Sequence, residues 1–573
     1  MTDNFFRVET GGGLLRLLKQ HANTVIVLLA AGLTCILVFD ADSRAFGDSD
    51  VFISLGEALA SGEGYVNTWR PEKPPADHFP IGYPLIIALV RLASDSILPL
   101  KLLSAGFFVA TAMLAFLVFQ QLGVGRTMSA LAAVVMAACG NLVVYATAVM
   151  SEMPFMFFSL LAILAFVLVD FDKKPQRDSF VWLLAVALLS SFYIRTIGIA
   201  LIGAVIATLI IRRAWPHVIF IATVGLAVTL PTLLLKGEAD GGYVKYFLMA
   251  NQNDLSQGSV GVQEVVSRIA SNLRLYLRFT ALEMLIPTMR GVRHNIVFSY
   301  GVSAAILGLA AFGIWRLPRH RLIVVLYIAA IFAILLVWPP IFSSDRLLLP
   351  VLPALVVGLI HGTHHARNDL VAALLLAIIF GLGLTYLDWG GRLYALQNKV
   401  TWLLSLAVFA VAWALLVPHR NSLRRVPMPI VVAALVICAN VPELVRLSEK
   451  SRGPQDKRTL ALTEVGTWAK ENTDARAVFA SPDHYYVHRI SGRPSWPHFF
   501  DRDAFGEDVQ RPSDMSPETA VEYLKERGIS YVVIDNRSER AERYLRPVLD
   551  AAPQRFSPVF LTPDSLFTVY AVN

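Results

Sequence analysis

The chain reads as a polytopic α-helical membrane protein that ends in a small α/β unit outside the bilayer. Three observations predict this. Mean hydropathy is +0.56, and of 573 residues 55% are hydrophobic while only 16% are charged, a balance typical of bundles of spanning helices. Apolar runs of membrane length recur about thirteen times along the first four-fifths of the chain. From about Gly453 the pattern turns soluble, with short strand-like and helix-like stretches.

The first run, 23–39, follows Arg16, Lys19 and His21. The others lie at 97–119, 128–148, 154–169, 180–193, 198–211, 218–235, 297–314, 322–337, 347–360, 370–386, 402–417 and 430–441. Every second connection carries Lys or Arg: Arg126; Lys173, Lys174 and Arg177; Arg212 and Arg213; Arg316, Arg319 and Arg321; Arg367; Arg420, Arg424 and Arg425. Basic residues mark the cytoplasmic side. The N-terminus is therefore expected inside and the C-terminal part outside, which in a bacterium means the inner membrane and the periplasm. No cleavable signal is evident. The expected division is 1–450 for the membrane module, with outer loops at 40–96 and 236–295, and 451–573 for the soluble unit. In the second loop, Gly241, Gly242 and the polar run 251–254 read as a mobile connector or gate, followed by an amphipathic helix near 265–284.

In the soluble unit, 460–469 suggests an amphipathic helix, and 478–480 and 531–534 read as buried strands. Ser516-Pro517-Glu518 opens a helix that Gly528 closes, and 559–561 with 566–572 form a hairpin. The net charge of +7 sits mostly in the inside connections, so it is a topology signal and argues for no nucleic-acid partner. Cys35, Cys139 and Cys438 fall in apolar runs and predict neither a disulfide framework nor a cysteine metal site.

Chemistry concentrates in the first outer loop, 47–84. It holds Asp48 and Asp50, then Val51, Leu55, Ala58 and Leu59 at helical spacing, then a turn at Ser61, Gly62, Glu63 and Gly64. This helix is too short and polar to span, so it is expected along the membrane surface. Asp48 at its start is either an N-cap or a working acid. A proline-rich stretch with Arg70, Lys73 and His78 follows. Elsewhere, Glu152 stands in Met-Ser-Glu-Met-Pro at the outer end of a run, where it either joins a site or suits the helix dipole. Arg195 and Arg346 are basic residues on the outer side, against the positive-inside trend. Each reads as an interfacial anchor, Arg346 paired with Asp345, or as a bidentate phosphate contact.

The combination Asp48-Ser49-x-x-Phe52, Gly62-x-Gly64-Tyr65 and Pro80-x-Gly82-Tyr83-Pro84 resembles the first periplasmic loop of the GT-C glycosyltransferases. These use polyprenyl-phosphate-linked sugars and include protein O-mannosyltransferases and the aminoarabinose transferase group. The resemblance implies a GT-C-like fold and an inverting transfer of a sugar to a glycan, lipid or protein acceptor of the cell envelope. It implies a loop acid as general base, Asp48 best and Asp50 as alternate, joined by Glu152 through its Ser-Glu-x-Pro segment. Arg346, in Arg-Leu-Leu-Leu-Pro, resembles an Arg-Tyr-Leu-Leu-Pro segment of the family, with Leu347 in place of tyrosine. With Arg195, and with Lys73 or His78, it would bind the donor phosphate. Some members use a divalent cation, Mg or Mn, for which Asp48 and Glu152 are the candidate ligands. The rival readings are a transporter or flippase for a lipid-linked saccharide, and a non-catalytic binding partner. A transporter would keep its ionisable groups near the bilayer midplane.

Overall fold

The computed structural model describes residues 12–42, 48–76, 78–235, 260–292, 295–339, 345–386, 394–498 and 516–573. The first helices are α1 (Gly12–Val38), α2 (Ser49–Ala60), α3 (Gly82–Arg91), α4 (Leu98–Gln121), α5 (Arg126–Ala137), α6 (Gly140–Val143), α7 (Glu152–Leu168), α8 (Ser179–Ile194), α9 (Ile199–Ile211) and α10 (Trp215–Leu235). Further apolar helices follow at Ile296–Trp315, Arg321–Val337, Leu352–His365, Asn368–Tyr386, Tyr394–Leu416 and Met428–Arg452. Long apolar runs take this form because a helix satisfies its own backbone where lipid offers no partner. Among the described residues, 5 helices are long and apolar enough to cross a membrane, and nine shorter apolar helices of 10–17 residues accompany them. The chain is a multi-pass helical membrane protein; helix length alone does not fix the expected count of about thirteen crossings.

Two expectations change on inspection. The run 128–148 is not one helix. α5 ends at Ala137, and the chain continues through α6 and turns to Ser151. Gly140 lies so close to the helix Met428–Arg452 that a Cβ there would meet the Glu443 side chain at 2.6 Å. Its N–H donates to Asn440 Oδ1 at 2.8 Å. Buried backbone that leaves the helical ladder is tolerated where protein groups satisfy it, as Asn440 does here. The second change concerns the run 430–441, which extends as one helix from Met428 past Pro442 to Arg452 and leads directly into the C-terminal part.

α2 forms where the apolar spacing predicts it, and most of it is buried within the protein. Nine of its residues are buried, Asp50 among them. Phe52 and Ile53 pack with Tyr83, Ile87, Leu100, Met150, Phe155 and Ile194 on the membrane-helix side. Val51 and Leu55 pack with Trp69, Ala76 and Tyr485 on the other. A helix covered on both faces is fixed more firmly than an interfacial one, because rotation would expose apolar area.

The C-terminal part carries β1 (Val478–Ala480), β2 (Ser495–Trp496), β3 (Ile529–Asp535), β4 (Phe556–Leu561) and β5 (Phe567–Val572) in a 5-stranded sheet of order β2-β1-β3-β5-β4. β1 pairs in parallel with β2 and β3, while β5 runs antiparallel to β3 and β4. Helices Lys457–Asn472, His484–Ser491 and Pro517–Glu526 accompany it. Ser516 caps the last of these by accepting from Thr519 N–H, as its sequence predicts. β2 and the helix His484–Ser491 have no counterpart in the sequence reading. Of the segment 236–295, Gly241, Gly242 and 251–254 lie outside the described residues, and the amphipathic helix is Val262–Leu275.

Candidate functional site

Four separate parts of the chain deliver charged groups to one point. Asp48 occupies the N-cap position of α2, yet its side chain makes no capping hydrogen bond. Its carboxylate is engaged elsewhere: Arg346 Nη1 donates to Asp48 Oδ2 at 2.9 Å. Arg346 lies in the short helix Asp345–Leu348, just ahead of Leu352–His365. The same guanidinium donates from Nε to Glu152 Oε1. Glu152 opens α7 and is only 2% exposed.

Arg195 completes the group. It stands in extended backbone between α8 and α9, where the helical ladder breaks. Its Nη1 donates to Glu152 Oε1 at 2.5 Å and to Ser151 Oγ at 3.2 Å. Gly82 explains part of this geometry: a Cβ there would lie 2.6 Å from the Tyr193 carbonyl oxygen, so only glycine lets α3 approach the end of α8 next to Arg195. Tyr83 beside it is buried and packs edge-on against Phe52 of α2 at 5.1 Å. The Gly-Tyr-Pro segment thus holds α2, α3 and α8 together.

Glu152 therefore receives two guanidiniums on Oε1. Its other oxygen, Oε2, is buried with no hydrogen-bond partner among the described residues. An unsatisfied buried carboxylate oxygen is costly and marks a place where a ligand group fits. Beside it lies a small cleft lined by Glu152, Arg195 and Arg346 together with Phe155, Met156, Ile197, Leu347, Leu349 and Pro350. Its lining is part charged and part apolar.

Asp50 does not share this point. Arg489, in the last turn of the helix His484–Ser491, donates from Nε to Asp50 Oδ1 at 2.6 Å. Burial pushes the Asp50 carboxyl above its ordinary value, against the lowering pull of Arg489. Asp50, Ser49, Lys101 and Arg489 border a second, roomier cavity. Lys73 also goes elsewhere: it pairs with Glu63 at 2.7 Å, both side chains well exposed, on the turn closed by the Val66–Pro75 bridge. That pair closes a short loop, which costs less chain entropy than reaching the arginine cluster across the fold. His78 is exposed and meets Phe79 edge-on at 4.6 Å. Neither residue has a described contact with Glu152, Arg195 or Arg346. The sequence reading missed Arg489, because nothing in its neighbourhood marks a partner for a loop several hundred residues upstream.

A resident divalent cation does not fit this donor set. Such ions need several oxygen ligands, and among the described residues no group of three or more His, Cys, Asp or Glu comes together. The Arg346 guanidinium lies between the Asp48 and Glu152 carboxylates, where a second positive charge would be repelled.

No protein-family profile matches the chain, and no curated protein does. Solved structures do. The crystal structure of ArnT from Cupriavidus metallidurans bound to undecaprenyl phosphate overlays 96% of this chain and 98% of its own, with a TM-score of 0.56 and 15% sequence identity. The apo form of the same protein gives 0.55 and 14%, over 98% of each chain. The oligosaccharyltransferase AglB from Archaeoglobus fulgidus, in complex with an inhibitory peptide and a dolichol-phosphate, is more distant at a TM-score of 0.40 and 13% identity, over 97% of this chain and 75% of its own. The helical fold of this chain is therefore similar to that of ArnT along nearly its whole length, in line with the fold expected from the loop motifs.

Proposed function

We propose that the chain is an inverting glycosyltransferase of the bacterial inner membrane, moving a sugar from a polyprenyl-phosphate donor to a cell-envelope acceptor on the periplasmic side. The observation that carries this is the amphipathic cleft whose lining combines Glu152, Arg195 and Arg346 with apolar side chains. A phosphate suits the paired guanidiniums, and an isoprenoid chain suits the walls. The ArnT fold, in a protein crystallised with undecaprenyl phosphate, supports the same ligand class.

In this reading Glu152 holds both arginines in place, and its free Oε2 accepts a hydroxyl of the sugar. The donor phosphate competes with Asp48 for Arg346 Nη1. That exchange releases the Asp48 carboxylate to take the proton of the acceptor hydroxyl or amine. The acceptor oxygen or nitrogen attacks the anomeric carbon, and the bond to the lipid phosphate breaks. The phosphate leaves with the electron pair, and Arg346 and Arg195 stabilise its growing charge. One displacement inverts the configuration.

The test supplies membranes holding the protein with a panel of polyprenyl-phosphate sugars and follows products by mass. Transfer that depends on this protein, with free polyprenyl phosphate released in equal amount, is expected. Movement of an intact donor between leaflets without cleavage would overturn the reading in favour of a flippase.

A further inference from the structure

The two acids of the first loop are claimed by two arginines from different parts of the chain. Asp48 meets Arg346 of the membrane module, and Asp50 meets Arg489 of the C-terminal part. The two ion pairs therefore tie the N-cap and the first turn of α2 to two different elements, at a helix start that has no side-chain cap. A shift of this turn at Asp50 carries Asp48 with it.

The Arg489 end of this arrangement is itself rigid. Its guanidinium lies 5.0 Å from the Tyr486 ring centre. Tyr486 is buried, and its hydroxyl lies 2.8 Å from Thr463 Oγ1 on the helix Lys457–Asn472. Asp50 and Arg489 side chains are 5% and 12% exposed, so the pair is shielded from solvent and salt. Nearby contacts fasten the rest of the loop to the same part of the chain. Ser495 N–H donates to the Trp69 carbonyl at 2.8 Å. Thr68 Oγ1 lies 3.2 Å from His488 Nε2, and Arg70 stacks over Trp496 at 5.0 Å.

We propose that Arg489 is a positioning residue for the transfer reaction: the C-terminal part sets the rotation of α2 through the Arg489–Asp50 pair, and so aims Asp48 into the site. Asp50 then serves as the anchor point and not as a second base. This rests on Asp48 being the base, as proposed above.

The experiment uses the full chain in lipid nanodiscs and compares the parent with R489K, R489M and D50A/R489M. R489M alone leaves a buried carboxylate without its partner and is open to misfolding. The double variant removes both charges and is the decisive one. It is expected to fold, to lose at least about tenfold in kcat, and to keep donor KM within about threefold, because the Glu152 and Arg346 contacts are untouched. Its pH–rate profile should keep the shape of the parent's, acid limb included. Amide exchange in 48–60 should rise while β1 and β3 stay protected. R489K should fall between parent and R489M, since it keeps the charge without the fork. A folded double variant with parent kcat and parent protection of α2 would overturn the proposal, as would loss of the acid limb, which would make Asp50 the base. If the parent itself transfers no sugar, the transferase reading fails, and the exchange measurement still decides whether the pair holds α2.

Discussion

Replacing Asp48 by Asn separates a working acid from a structural one. The fold should barely notice. Asp48 makes no capping hydrogen bond that could be lost, and Asn caps about as well as Asp in any case. The one partner given up is Arg346, in a pair whose side chains are 26% and 36% exposed. A pair that open contributes at most about 1 kcal/mol, and the Asn carbonyl still accepts from Nη1. Arg346 also keeps Glu152. Activity should fall far more. A general base contributes about 10²- to 10⁴-fold, equivalent to about 2.7–5.4 kcal/mol of activation free energy. The assay is kcat at saturating donor and acceptor on reconstituted protein, beside a thermal melt of the same preparation. Asp50→Asn serves as the comparison. A folded Asp48→Asn enzyme with kcat within about threefold of the parent would refute the base assignment. So would an unfolded one, because it would show a structural duty that the geometry does not contain.

Other perturbations probe the surrounding groups. Glu152→Gln removes the charge that holds Arg195 and Arg346 together; breaking a buried pair costs about 3–5 kcal/mol, so the melting temperature should drop clearly, and an unchanged melt would contradict the network. Arg346→Ala should raise donor KM more than Arg346→Lys, which keeps charge but loses the bidentate fork; equal donor use by both would reduce Arg346 to an interfacial anchor. A phosphatase fused after Asn573 should be active and one after Arg177 inactive, and the reverse pattern would overturn the proposed orientation. Burial pushes His484 down to about 3 and His498 to about 4. Both imidazoles are then neutral in the folded chain and bind protons more readily when unfolded. Their contribution is fully present above about pH 6.5 and is lost as pH falls toward those values, by up to about 1.4 kcal/mol per pH unit for each group. Amide protection of β1 and β3 should therefore fall between pH 7 and pH 4.5, with a shallower slope in His498→Asn; protection that is flat with pH in the parent would refute the assignment.

The sequence by itself determined the helical membrane character, most helix positions, the acids of the first loop, and Glu152, Arg195 and Arg346 as residues worth attention. It could do so because these signals are local. An apolar run, a helical spacing and a charge at the outer end of a span are each read within about twenty residues, and a charge beside a bilayer is costly enough to stand out. What only the tertiary structure decided is who partners whom. Asp48 and Arg346 are 298 positions apart, and Asp50 and Arg489 are 439 apart. Lys73 carries the same charge as the two site arginines, yet it ends beside Glu63. The helix 49–60 is too short and polar to span, which the sequence alone conveys; that Trp69 and Ala76 of its own loop, with Tyr485 of the C-terminal part, cover one of its faces only packing decides. The break after Ala137 depends on Asn440, three hundred positions from Gly140. Residue patterns encode which groups need a partner; the packing of distant elements settles which partner lies within reach of a hydrogen bond.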